Sequence, residues 1–239
     1  MVENKIRVLI LADSTAMWIR PNRNHNNQLV YVEHLRKKNI AVDIIATPGM
    51  TSKDVMNIYW NELGAKFYDI YIVSVGINDL TPRSYPRWMW RLHNSIVLPL
   101  AWHEKLYESF YKLFTNRYIQ KLFSKYGVSK PWISQQNFKQ YLGKFQELVL
   151  KESDAKIIYC SLPMVSKRVS SLLYGIDKNI IDYKKEINIL SKEDRVFEID
   201  VDKLFESDRE RYNIEGIHYT VDGHYKVFEE IQRILEENR

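Results

Sequence analysis

Cysteine is nearly missing from this chain: Cys160 stands alone among 239 residues, so no internal disulfide can form, which agrees with a reducing compartment. Long apolar runs are missing too. No stretch is long enough to cross a bilayer. The opening MVENKIRVLILADS sets an acidic residue and a lysine before a short apolar run that lacks the length and cleavage pattern of a signal peptide. A cytoplasmic protein without stable membrane insertion is expected. Glycine-rich phosphate loops and dinucleotide fingerprints are absent, and the histidines and the one cysteine form no cluster with metal-ligand spacing. The expectation is therefore chemistry without cofactor or metal. Repeats, low-complexity tracts and linkers are also lacking, so residues 1–239 read as a single domain.

Hydrophobic residues make up 45% of the chain and charged residues 27%, a composition that supports a globular core and excludes a mainly disordered chain. The net charge of +5 and a pI near 9.0 would suit an anionic partner. Lysines and arginines nevertheless occur along the whole sequence with no nucleic-acid motif beside them, so a solvated basic surface is expected and nucleic-acid binding is not.

Five short apolar runs read as buried parallel strands: Ile6–Ala12, Ala41–Ala46, Ile70–Val75, Lys156–Cys160 and Arg195–Ile199. Segments with helical spacing lie between and after them, over Leu29–Lys38, Ser52–Leu63, Phe138–Lys151, Ile180–Leu190 and Val221–Glu237. Alternation of this kind predicts a three-layer α/β/α sandwich around a five-stranded parallel sheet, because each right-handed crossover needs a helix to return the chain. Sites in such sheets form beyond the carboxyl ends of the strands.

The rhythm breaks between Asp79 and Asn137, where many arginines and tyrosines and four of the six tryptophans occur, as in RSYPRWMWRLH at Arg83–His93. A helical cap over the site, at about residues 80–137, is one reading. Helices packing aromatic faces on the core are the other, and a subunit interface would use the same residue types, so a homo-oligomer is possible.

Four segments stand where chemistry is expected. Asp13-Ser14-Thr15 follows the first strand, although a serine there could simply cap a helix. Thr47-Pro48-Gly49-Met50-Thr51 follows the second, with a glycine that lets backbone approach a ligand. Gly76-Ile77-Asn78-Asp79 closes the third and would otherwise be an ordinary turn. Glu215-Gly216-Ile217-His218 precedes the last helix. There a carboxylate three residues before a histidine can accept the Nδ1 proton and leave Nε2 as a base.

Together and in this order, these segments resemble the signature blocks of the SGNH (GDSL-like) hydrolase family. Two residues depart from the family pattern: Ala12 replaces the glycine of GDS, and Glu215 replaces the usual aspartate. The resemblance implies a sheet of flavodoxin-like type and a serine esterase with Ser14 as nucleophile, His218 as general base and Glu215 behind it. The backbone N–H groups of Ser14 and Gly49 and the side-chain amide of Asn78 would form the oxyanion hole. The aromatic and arginine content of the insertion suits a small acyl group, such as acetyl, on a carbohydrate or similar polar small molecule or glycan. Acyl transfer to a sugar hydroxyl and a non-catalytic binder that kept the fold are the alternatives.

Overall fold

The computed structural model describes residues 5–17, 19, 30–38, 40–63, 68–94, 109, 112–214 and 216–237. Five parallel strands form one sheet in the order β2-β1-β3-β4-β5. They are β1 (Arg7–Ala12), β2 (Ala41–Ala46), β3 (Ile70–Ser74), β4 (Lys156–Cys160) and β5 (Val196–Ile199), within a residue or two of the spans expected from the sequence. Every residue of β1 after Arg7 is buried, because helices cover both faces and the strand has no wet side. The edge strand β2 alternates instead, with Ala41 and Asp43 exposed.

Two cores flank the sheet. Leu9, Leu11, Tyr71 and Val73 face one of them, with α2 (Ser52–Ile58) and two long helices that enter after the insertion. After α3 (Ile77–Leu80), α4 (Arg87–Asn94) and α5 (Arg117–Lys125), those helices are α6 (Gln135–Glu152) and, beyond α7 (Lys167–Leu172), α8 (Ile176–Leu190). Helix α6 presents Phe138, Leu142, Phe145 and Val149, and α8 presents Ile176, Ile180, Tyr183 and Ile187, the same i, i+4, i+7, i+11 stripe on each. Val8, Ile10, Ala12, Ile72 and Cys160 face the second core. It is filled from α1 (Tyr31–Lys37) and, past the short α9 (Val201–Leu204) and α10 (Arg209–Tyr212), from α11 (Val221–Glu237).

Helices α6 and α8 begin earlier than apolar spacing predicts, for local reasons. The Ser134 hydroxyl accepts from the Asn137 N–H and starts α6 in a polar turn, and left-handed Gly175 starts α8. Of the insertion, α4 and α5 are described, and an antiparallel bridge between Arg83 and Lys130 ties its two ends together with N···O distances of 3.1 and 3.2 Å. Residues 95–108, 110 and 111 lie outside the described residues. Among the described residues, no helix is long and apolar enough to cross a membrane.

Strand order reverses between β1 and β3: the chain runs from β1 to β2 on one side, then returns to β3 on the other. Crevices in open α/β sheets form at such switch points. Ala12 pairs with Ser74, so the residues after β1 and β3 leave the sheet level with each other.

Candidate active site

Strand β1 delivers a tight turn. Asp13 accepts from the Thr15 N–H through Oδ1 at 2.8 Å and caps the single 3-10 turn Ser14–Ala16. The capping role is therefore taken by Asp13, and Ser14 is left with its hydroxyl 3.0 Å from His218 Nε2, bridging 204 residues of sequence. Ala12 is the last residue of the strand, paired on both sides, and has no positive φ. The alanine in place of glycine thus sits in ordinary strand backbone.

Strand β2 delivers Pro48 and Gly49 in a turn closed by Met50 N–H donating to Thr47 O at 3.1 Å. Gly49 has φ +76°, as the third position of a type II turn requires. The indole of Trp90 lies against it, so that a Cβ at Gly49 would meet the ring at 2.3 Å. The backbone N–H groups of Ser14 and Gly49 donate to no group among the described residues. For Ser14 this follows from its place in the first turn, where N–H groups have no intrahelical acceptor.

Strand β3 delivers Asn78 and Asp79 behind Gly76, whose φ of +132° caps α3. Arg83 donates to Asn78 Oδ1 at 3.1 Å, and Asn78 Nδ2 donates to Asp13 Oδ2 at 3.0 Å. These two partners fix which end of the amide is oxygen. The other Nδ2 hydrogen meets only the Met50 carbonyl, at 3.3 Å. Asp79 is fully buried and accepts from Ser52 N–H at 3.0 and 3.2 Å and from the Ser52 hydroxyl at 2.5 Å, fastening the start of α2 to the end of β3.

Burial pushes both carboxyls up. Asp13 rises to about 6 against the opposing hydrogen bonds from Thr15 and Asn78 and the charge of Arg83, and Asp79 rises to about 7 against the hydrogen bonds of Ser52. The loop carrying His218 is held by close contact. Gly216, at φ +80°, packs so tightly on the Val165–Ser166 backbone that a Cβ would meet Ser166 N at 2.0 Å. Glu215, the expected third member behind His218, lies outside the described residues. His224, in the first turn of α11, is wholly buried between the rings of Tyr31 and Tyr219, at 5.8 and 5.3 Å, and belongs to the second core.

The structure therefore brings Ser14, His218, Gly49 and Asn78 to one crevice, together with residues to which the sequence assigned no role. Arg83 donates to Tyr85 Oη at 3.0 Å and lies 4.1 Å above the Trp132 ring, and Trp132 Nε1 donates to Tyr85 O at 3.1 Å. Arg87 and Arg91 both bind Asp54 near the start of α2, and Arg87 also reaches Gly49 O at 3.4 Å. Their arginine and tryptophan types were visible in the sequence. The pairings of Arg87 and Arg91 with Asp54 and of Trp132 with Tyr85 were not, because those partners lie dozens of positions away with no shared periodicity. His34 packs against Tyr225 and Phe228. Among the described residues, no group of His, Cys, Asp and Glu is placed to hold a metal ion.

The doubly wound sheet, with Ser14 and His218 at its switch point, has the fold of the SGNH, or GDSL-type, hydrolases. A lipase/acylhydrolase from Enterococcus faecalis superposes with a TM-score of 0.63 at 14% identity, over 97% of this chain and 96% of its own. A catalytic mutant of an acetylxylan esterase from Geobacillus stearothermophilus gives 0.58 at 13% identity, over 98% and 95%. A protein from Desulfitobacterium hafniense assigned to the G-D-S-L lipolytic family gives 0.55 at 12% identity, over 95% and 97%. No family model matches the chain, and no curated protein sequence does.

Proposed function

We propose that the protein is a serine esterase that cleaves a small acyl group, such as acetyl, from a carbohydrate or similar polar substrate through an acyl-serine intermediate. The 3.0 Å contact between Ser14 Oγ and His218 Nε2, beside two N–H groups with no acceptor, carries this reading. His218 Nε2 takes the hydroxyl proton as Ser14 Oγ attacks the ester carbonyl. The carbonyl oxygen becomes an oxyanion, met by the N–H groups of Ser14 and Gly49 and by the Nδ2 hydrogen of Asn78 that now rests on the Met50 carbonyl. Collapse breaks the bond to the alcohol oxygen, which leaves with the proton from His218. Water, deprotonated by the same nitrogen, then releases the acid. By its place three residues before His218, Glu215 is assigned to hold the imidazole.

The preference for a short acyl group is supported by Trp90, whose ring crowds the glycine beside the oxyanion position. The polar leaving group is supported by Tyr85, Arg87 and Trp132 grouped beside the crevice. A fluorophosphonate probe tests the nucleophile. Modification at Ser14, with turnover of a chromogenic acetyl ester lost in Ser14→Ala, is expected, and a folded protein that the probe leaves untouched would refute the mechanism. Asn78→Ala should lower kcat by about 10²–10³ while leaving the fold intact. Adding an acceptor sugar to the same assay separates hydrolysis from acyl transfer.

A further inference from the structure

The positive charge of this chain is not matched evenly by negative charge. Between Ser109 and Gln146 there are seven lysines and arginines and no aspartate or glutamate. Helix α5 lies within this stretch and carries an exposed apolar stripe, with Tyr118 67% exposed, Leu122 49% and Tyr126 70%, spaced i, i+4, i+8 on one face. Leu113 and Val128, just outside the helix, are also exposed. The exposed Lys121 and Lys125 flank the stripe, and the Lys125 ammonium lies 6.0 Å from the Tyr126 ring. Helix α7 packs beside α5 and adds exposed Lys167 and Arg168, and exposed Tyr174 follows it, its carbonyl accepting from the Ser124 hydroxyl at 2.9 Å.

We infer that the face of α5 is a peripheral docking surface for an anionic lipid bilayer. Charge and apolar content must be met together, and that decides among the possible occupants. A second copy seated symmetrically would set this patch against itself, lysines facing lysines with no aspartate or glutamate between Ser109 and Gln146 to relieve them. A soluble polyanion would answer the lysines and stack on the tyrosines, but it would leave Leu113, Leu122 and Val128 against hydrated groups. A bilayer with anionic headgroups answers both: tyrosine rings and leucine enter the interface while lysines reach outward to phosphates. The surface joins the crevice through one backbone bridge, since Lys130 pairs with Arg83 and Arg83 holds Asn78. Docking there would keep the crevice close to the membrane surface, whatever bond the crevice cleaves.

The test is co-sedimentation of the full chain with vesicles of phosphatidylcholine alone and of phosphatidylcholine mixed with phosphatidylglycerol. Binding to the mixed vesicles, lost at high salt and absent on phosphatidylcholine alone, is expected. Each lysine at such a surface contributes about fivefold to partitioning, so the double variant Lys121→Glu/Lys125→Glu should bind at least about 25-fold more weakly. Leu122→Ser should weaken binding about fivefold with the charge unchanged. Both variants alter exposed positions and should retain the far-ultraviolet spectrum and turnover of a soluble acetyl ester. Three results would overturn the inference: no sedimentation with either vesicle, retention on polygalacturonate without vesicle binding, or a dimer that Leu122→Ser dissociates.

Discussion

At the scale of single residues, the unusual feature is how Asn78 is held. Its amide oxygen takes a hydrogen bond from Arg83 and its nitrogen gives one to Asp13, so a cation and a buried carboxyl set its orientation from both ends. Arg83 touches no reacting atom in the proposed mechanism and acts through Asn78. Arg83→Ala should therefore lower kcat about tenfold, less than loss of the donor itself, with a smaller change in KM. Because both residues act on one oxyanion, the double variant Arg83→Ala/Asn78→Ala should be no slower than Asn78→Ala, and additive losses would show that Arg83 works elsewhere. Asp79 offers a second test. Its carboxyl is raised from 3.8 to about 7 by burial, so the folded protein holds this proton after the unfolded chain has released it. The resulting stability is fully present below about pH 4 and is lost as pH rises through about 7. Asp79→Asn keeps an acceptor for Ser52 and cannot ionise, so the wild type should lose Tm relative to this variant between pH 5 and pH 8. Ser14, Asn78 and His218 were legible in the sequence because the first two follow recognisable strands and the third leads into the last helix. Arg83 was not, since nothing in RSYPRWMWRLH tells which arginine turns inward.

Elements hold the crevice by close backbone approach as well as by hydrogen bonds. Gly216 lets the His218 loop rest on the backbone at Val165–Ser166, the connection that follows β4, and no side chain fits between them. Gly216→Ala brings a Cβ against backbone that cannot rotate away and also strains a φ of +80°, so the loop must lift and carry His218 from Ser14. Expected results are a fall in Tm of several degrees and a loss of turnover larger than the stability change explains. A wild-type rate with lowered Tm would mean that the loop finds its place without this contact. The extents of β2 and β4 were readable to the residue, because an apolar run bounded by polar turns is the direct imprint of a buried strand. Helix starts were read less well. The first turn of α6 is polar and held by Ser134, so a periodicity that looks for apolar residues enters the helix at Phe138. Of the insertion, the sequence could indicate helices and aromatic content, but not that Arg87 and Arg91 would fasten α4 to Asp54.

For the molecule as a whole, alternation of strands and helices was enough to give a doubly wound sheet, yet the order of its strands is not written in any local pattern. It follows from which faces the crossovers cover. Here α1 joins α11 on one side, while α2, α6 and α8 cover the other. The two cores share every central strand, so neither can be exposed without breaking the sheet that forms the wall of the other. Cys160 reports on this coupling because it sits at the end of β4, 2% exposed, with its thiol pushed up to about 12 by burial. A thiolate reagent should leave it untouched in the native protein. In increasing urea, labelling should appear at the same midpoint as the loss of helical signal, as expected if both layers unfold in one cooperative step. Labelling that precedes the helical transition would show that the layer of α1 and α11 opens first. The Ser14–His218 pair would then come apart before the rest of the fold, since its histidine stands on the loop leading into α11.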